Sequence, residues 1–422
     1  MSADGAHVSG DGAALSTHQA AARDRTGHPR LLVVSNGYGE DLIAARILRE
    51  LREVEVAAFP LVGAGPAYPP GVPRLGPRAD LPSGGFGFRD DLRGLWSDLR
   101  AGALGLVRAQ RRALRAAGAG DGAGAGAGAG AGPDLVLAVG DVYALWMALA
   151  VGAPVALVAT ADTVLARRPS LLHLALLRRA RHVFARDQAT AAWLAARGVA
   201  ASAPGNVMVD CLEETPPDFA LPPGVPAVAL LPGSREDAAR NAALLARVAA
   251  WATAARPEVH FLLALAPTVD ADAVLAGFEV GLGPSTIGVL GQGAAAAGAP
   301  RPVRIQLTRT FTAAVARAEV VVGLAGTANE QAAALGRPVV AFPGRGAQYT
   351  PRFLALQSRV LGEALVPTPS PDAAAAAALR LLSDPAERAR RGEVGRQRMG
   401  PPGAAPRIAA WLRDHLPAGT CP

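Results

Sequence analysis

At 422 residues the chain is longer than one hydrophobic core ordinarily serves, so two domains are expected. Half of the residues are hydrophobic and 18% are charged, which excludes a disordered chain; the abundant Ala, Gly and Pro reflect coding bias. The formal net charge of +7 comes without a dense basic run interleaved with aromatics, which argues against a nucleic-acid partner and leaves phosphate-rich substrates or an anionic membrane surface.

Residues 1–29 are polar and Gly/Ala-rich and read as a disordered tail without the apolar core of a signal peptide. Order is expected from LLVVS (31–35), a buried strand, followed by the turn NGYGED and a helix through 41–51. Further strands follow at 54–63, 134–140, 153–160 and 181–187, alternating with helices, which is the rhythm of a parallel doubly wound sheet. Within this first domain, 30–214, the Ala-Gly repeat 117–132 has nothing to bury and reads as a disordered surface insertion. Residues 90–115 form an amphipathic helix: Leu92, Leu95, Trp96, Leu99, Ala103, Leu106, Val107 and Leu114 share a face, while the arginines lie largely elsewhere. It either packs on its sheet or rests on anionic lipid, and both hold if they involve opposite ends.

A Pro-rich hinge, 215–226, precedes a second domain, 227–400. Strands are expected at 227–233, 259–266, 319–323 and 338–344, with a long Gly/Ala/Pro loop near 281–302. The last segment, 401–422, carries a helix near 404–416 that is expected to cross back to the first domain. The fold class is therefore α/β, with two doubly wound, Rossmann-like domains facing a cleft, and a ligand is expected outside the carboxyl ends of the strands.

Two stretches roughly a hundred residues apart look like halves of one pocket, LLPGSRED (230–237) and GLAGTANEQ (323–331). Each runs from an apolar strand through a small-residue turn into a helix, aiming backbone N–H groups and a helix N-terminus at whatever lies above, which suits a diphosphate. In the first, Gly233 and Ser234 allow a close turn and Arg235 adds a cation, although Ser234 can equally N-cap a helix with Asp237 at its third position. In the second, Gly326 and Thr327 continue the cradle, and Asn329, Glu330 and Gln331 are placed to bond a ribose or base or to serve as a polar first turn. Arg345, Gln348 and Tyr349 lie beyond the next strand, at the rim.

On the other side, NGYGED supplies Asn36, Gly37, Gly39 and Glu40; its Gly37-x-Gly39 spacing falls short of the dinucleotide fingerprint. Asp141, just after LVLAVG, is a general base toward a hydroxyl or the cap of the following helix; Glu40 and Asp162 are the other candidate bases. Gly205 and Asn206 of GNVMVD either line the cleft or form a turn. No histidine or cysteine spacing suits a metal, so no metal and no cofactor beyond a donor substrate is expected. Two cysteines make no disulfide framework, and no run of apolar residues is long enough to span a bilayer. The expected location is the cytoplasm, with peripheral contact to the inner face of the membrane.

With SNGYGEDLIAARIL, PSGGF, LAVGDVYALW, FARDQATAAWLAARGV, PGNVMVD, LLPGSRED and AGTANEQAAALGRPVVAFPG on the page, the chain resembles the lipid-A-disaccharide synthase family, particularly its synthase-related branch, from about Leu31 to Leu416. The resemblance implies a GT-B glycosyltransferase that moves a hexose, such as N-acetylglucosamine, with inversion from a UDP-sugar held by the second domain to a lipid-linked acceptor at the first. It implies that Gly233, Ser234 and Arg235 hold phosphates, that Gly326 and Thr327 extend the cradle, and that Asn329 to Gln331 face the uridine ribose. The family's ribose carboxylate falls where this chain has Gln331, its Pro-Asp-Phe-Asn context is missing after Asp141, and NGYGED replaces its Gly-Glu-x-Ser-Gly-Asp turn. Two rivals remain: a UDP-N-acetylglucosamine 2-epimerase, which needs no acceptor, and a non-catalytic UDP-sugar-binding protein on the same scaffold.

Overall fold

The computed structural model describes residues 28–78, 103–120, 132–160, 162–212, 219, 221, 224–234, 237–267, 269–276, 278–283, 286–291, 303–346 and 349–417. Its first sheet holds β1 (Arg30–Ser35), β2 (Glu55–Pro60), β3 (Leu135–Gly140), β4 (Val155–Ala159), β5 (His182–Phe184) and β6 (Ala201–Ser202) in the order β2-β1-β3-β4-β5-β6, every pair parallel. Continuous apolar runs such as LVLAV in β3 are buried along their whole length, which requires helices on both faces. One face is covered by the helix Val142–Ala148 together with Leu114 of the helix Ala103–Ala119. The other is covered by the helices Tyr38–Leu48 and Ala404–His415, through Ile43, Ile47, Ile408 and Leu412.

The second sheet holds β7 (Ala227–Leu231), β8 (His260–Ala264), β9 (Phe278–Gly283), β10 (Thr286–Gly291), β11 (Val303–Thr308), β12 (Val320–Gly323), β13 (Val339–Ala341) and β14 (Leu365–Pro367) in the order β14-β13-β12-β7-β8-β11-β10-β9. Six of these strands run parallel; β9 and β10 are an antiparallel hairpin on the β11 edge. The expected loop near 281–302 is thus corrected over 281–283 and 286–291. Two glycines in each strand lower the strand propensity of FEVGLG and TIGVLG, and pairing of β10 with β11 and with β9 supplies what the local sequence lacks.

The expected insertion 117–132 is corrected at its start. Residues 117–119 finish the helix Ala103–Ala119, and Gly118 lies directly against the Val151 carbonyl, so small residues serve close packing there; residues 121–131 lie outside the described residues. The tail up to residue 27, most of the 215–226 hinge and residues 90–102 of the amphipathic helix also lie outside them. From Ala103 onward that helix turns Leu106, Val107 and Leu114 to its own sheet, with Arg108, Arg112 and Arg115 exposed. Among the described residues no helix is long and apolar enough to cross a membrane.

The helix Ala404–His415 belongs structurally to the first domain although it follows the second in the chain. The Asp210 carboxylate accepts from the backbone N–H of Gly403 (2.5 Å) and Ala405 (2.6 Å), satisfying two donors at the helix start. At the other end Arg413 donates to the Glu50 carbonyl at 2.8 Å.

Candidate functional site

Both sheets reverse their strand order at one place, and each reversal opens a crevice at the carboxyl ends of two neighbouring strands. In the second sheet the reversal falls between β7 and β12, the strands that feed the two small-residue turns. The turns touch. The Leu324 N–H donates to the Leu231 carbonyl at 2.8 Å, and a Cβ on Gly233 would sit 3.3 Å from the Leu324 carbonyl. Gly233 also has φ +99°, a conformation in which a side chain is strained, so glycine is needed twice over. Ser234 and Thr327 are exposed at the tips, and the helix Thr327–Ala334 opens after Gly326 with its free N–H groups toward the crevice.

Two buried amides fix these turns. Asn241 donates to the Pro232 carbonyl at 3.1 Å and accepts from the Arg345 N–H at 3.0 Å, tying the β7 turn to the loop after β13. Asn329, fully buried, has Nδ2 within hydrogen-bond distance of the Gly323 carbonyl (3.1 Å), the Tyr349 hydroxyl (3.1 Å) and Gln357 Oε1 (3.0 Å), three acceptors sharing its two N–H bonds. The Tyr349 hydroxyl donates to Gln357 Oε1 at 2.7 Å. Gln357 in turn donates to the carbonyls of Gly326 (2.8 Å) and Ala325 (3.3 Å). The expectation that Asn329 meets a ribose or base is therefore corrected: the helical spacing turns it inward, where it braces the cradle. Ser234 does not open its helix as expected either; the helix begins at Ala238, after Asp237.

In the first sheet the reversal falls between β1 and β3, and Asn36, Glu40 and Asp141 stand there, with Thr160 and Asp162 after the neighbouring β4. Asp141 caps the helix Val142–Ala148: its Oδ1 accepts from the N–H of Tyr143 (2.9 Å) and Ala144 (3.3 Å). Burial nevertheless pushes its carboxyl up to about 6, helped by the negative charges of Asp162 and Glu40 and opposed by those two hydrogen bonds. Asp162 is also held above the usual carboxylate range by burial, with His173 and Arg167 acting against that. Glu40 accepts from Thr160 Oγ1 at 3.4 Å. Cap and candidate base thus coincide in Asp141, since one oxygen alone carries the cap.

Asp41 is the residue that sequence reasoning passed over. It is 1% exposed and ends a buried chain in which the Tyr68 hydroxyl donates to Ser35 Oγ (2.7 Å) and Ser35 donates to Asp41 Oδ1 (2.5 Å). Burial lifts its carboxyl to about 7, Ser35 opposes, and Glu40 adds to the rise. Because the folded value lies above the unfolded one, this group's contribution to stability is full below about pH 4 and is lost as pH rises through 7. Asp41→Asn, which keeps an oxygen for Ser35, is expected to raise stability by roughly 1–3 kcal/mol near pH 8 and to change little near pH 4. Urea titrations at the two pH values check this.

The two crevices face each other. Arg186, just past β5, donates to Glu330 at 3.0 Å across the cleft, with only 8% and 15% of the two side chains exposed. Gln331 reaches the Met208 carbonyl of the first domain at 3.3 Å. Glu330 and Gln331 are therefore domain-bridging residues in this structure. Asn206 caps the short helix Val207–Asp210 by accepting from Met208 N–H at 3.1 Å, and lines a small pocket with Gly205, Thr160 and Arg186. Gly37 sits in the β1 turn with φ +147°, and Gly39, exposed, lies in the first turn of the helix Tyr38–Leu48. Arg345 is exposed at the rim; Arg235 and Gln348 lie outside the described residues.

Two parallel-sheet α/β domains with facing switch-point crevices make the GT-B architecture. Solved structures share it over most of the chain. A calicheamicin glycosyltransferase is 15% identical, covering 92% of this chain and 98% of its own at a TM-score of 0.56. The UDP-GlcNAc 2-epimerase of Neisseria meningitidis bound to UDP-GlcNAc is 13% identical, covering 91% and 100% at 0.52. That of Methanocaldococcus jannaschii is 13% identical, covering 91% and 99% at 0.51. No protein-family profile matches the chain, and no curated protein does.

Proposed function

We propose that the chain is an inverting glycosyltransferase, related to lipid-A-disaccharide synthase, that moves a hexose from a UDP-sugar to a hydroxyl of a lipid or lipid-like acceptor, with N-acetylglucosamine as the leading sugar. The observation that carries this reading is the placement of Glu40, Asp141 and Asp162 at one switch point, opposite the braced glycine turns at the other. The turns and the helix Thr327–Ala334 would hold the diphosphate by backbone N–H groups, with Arg235 and Arg345 adding charge. The acceptor hydroxyl oxygen attacks the anomeric carbon, a carboxylate takes its proton, and the bond to the diphosphate oxygen breaks as UDP leaves. A base near 6 stays ionised at neutral pH while keeping more proton affinity than an ordinary aspartate. The ribose would meet Glu330 or Gln331 at the cost of their contacts across the cleft. The amphipathic segment 90–115, whose Arg108, Arg112 and Arg115 are exposed, would add contact with the inner membrane face.

A second reading, the 2-epimerase, is favoured by the full-length likeness to epimerase structures, one of them bound to UDP-GlcNAc. Purified protein with a panel of UDP-sugars and a total lipid extract separates the two. Lipid-dependent UDP release from one donor is the expected result. Conversion of UDP-GlcNAc without lipid would replace the transferase by the epimerase, and UDP binding without turnover would leave a binding protein.

A further inference from the structure

A second part of the first domain has chemistry that the nucleotide-sugar reading leaves unused. The helix Leu171–Leu177 packs inward through Leu174 and Leu177, yet Leu171 is 86% and Leu172 67% exposed. Adjacent residues in the helix's first turn, they point about 100° apart and both put an isobutyl group into water. Exposed arginines flank the helix in the sequence, Arg167 and Arg168 before it and Arg178, Arg179 and Arg181 after it. From Thr163 to Arg186 the sequence contains no Asp or Glu. His173 of this helix and Arg167 before it act on the Asp162 carboxyl, so the surface borders the first-domain crevice.

We propose that Leu171 and Leu172, with the exposed Arg167 and Arg168 before their helix and Arg178, Arg179 and Arg181 after it, are a docking surface for anionic phospholipid. Charge selects the occupant. A run of arginines without a carboxylate complements a sheet of phosphate headgroups, and two leucines are enough to enter the acyl boundary. A protein partner would call for a broader apolar core than two adjacent side chains offer. The surface is distinct from the helix Ala103–Ala119, which spends its apolar side on its own sheet. The inference deepens the proposed function and rests on its lipid acceptor: docking here would bring the first-domain crevice to the layer in which such an acceptor resides.

The full chain is sedimented with phosphatidylcholine vesicles, alone or with about 30% phosphatidylglycerol. Binding to the anionic vesicles only is expected, weakened in high salt. Leu171→Ser/Leu172→Ser and Arg168→Glu/Arg179→Glu should each lower partitioning about tenfold or more, with UDP binding measured on the same samples unchanged. A wild-type chain that ignores anionic vesicles, or variants that bind them as well as wild type, would overturn the proposal. So would a dimer in light scattering that the double leucine variant abolishes without any vesicle binding. UDP binding and release report on the cleft separately, so loss of one reading does not mimic loss of the other.

Discussion

Asp141→Asn is expected to lower turnover by roughly 10²–10⁴-fold while leaving the fold intact. The contrast comes from the two jobs of one side chain. An asparagine oxygen can still accept from the N–H of Tyr143 and Ala144, so the cap of the helix Val142–Ala148 survives; Asp141→Ala would lose it, at about 1 kcal/mol. What asparagine cannot do is accept a proton. The pH profile supplies a second check. With the wild-type carboxyl near 6, turnover should fall as pH drops through that value, because protonation removes the base; the variant's residual rate should lack that limb. A variant with nearly full activity would move the base to Glu40 or Asp162, the other carboxylates at this crevice, and Glu40→Gln would then show the loss.

Asn329→Ala should cost roughly 2–4 kcal/mol and weaken UDP binding at least tenfold. Asn329 is the side-chain donor to the Gly323 carbonyl among the described residues, and Tyr349 and Gln357 each lose a partner in a fully buried setting. The β12 turn would then be held by Gln357 alone. Gly323→Ala attacks the same contact from the opposite side, since its Cβ would lie 1.8 Å from Asn329 Oδ1 and must expel the amide. Because the added methyl occupies space that Asn329→Ala vacates, the double variant should be markedly more stable than the sum of the singles predicts. Thermal melts of the three variants with calorimetric UDP titrations check both parts; strict additivity would mean the two residues do not share one space.

The legible parts of the sequence were those in which chemistry is local. Apolar runs ending in small-residue turns announce a strand, a switch-point turn and a helix within about fifteen residues, so the doubly wound fold and the pairing of Gly233 with the Leu324 turn could be read ahead. The braces could not. Asn241 meets Arg345 across 104 positions and Arg186 meets Glu330 across 144, and no spacing rule connects such residues. Asn329 was noticed for its polarity, but its side was decided by which face of an eight-residue helix packs on β12 and on the helix Pro351–Leu361. Asp41 was overshadowed by Glu40: adjacent acids on a helix point about 100° apart, so one can look into the crevice while the other is buried against Ser35.

The helix Ala404–His415 has a consequence for how the protein is made. It fills one face of the first sheet, yet it is synthesised roughly two hundred residues after β6, on the order of 10–40 s later at ordinary elongation rates. Until then the surface formed by Leu31, Val33, Ile43 and Ile47 stays uncovered, while the second domain, whose core takes only Ala166 and Val209 at its margin from the first, can close first. A released chain that ends at residue 400 should therefore hold a protease-resistant second domain beside a first domain in need of chaperone cover.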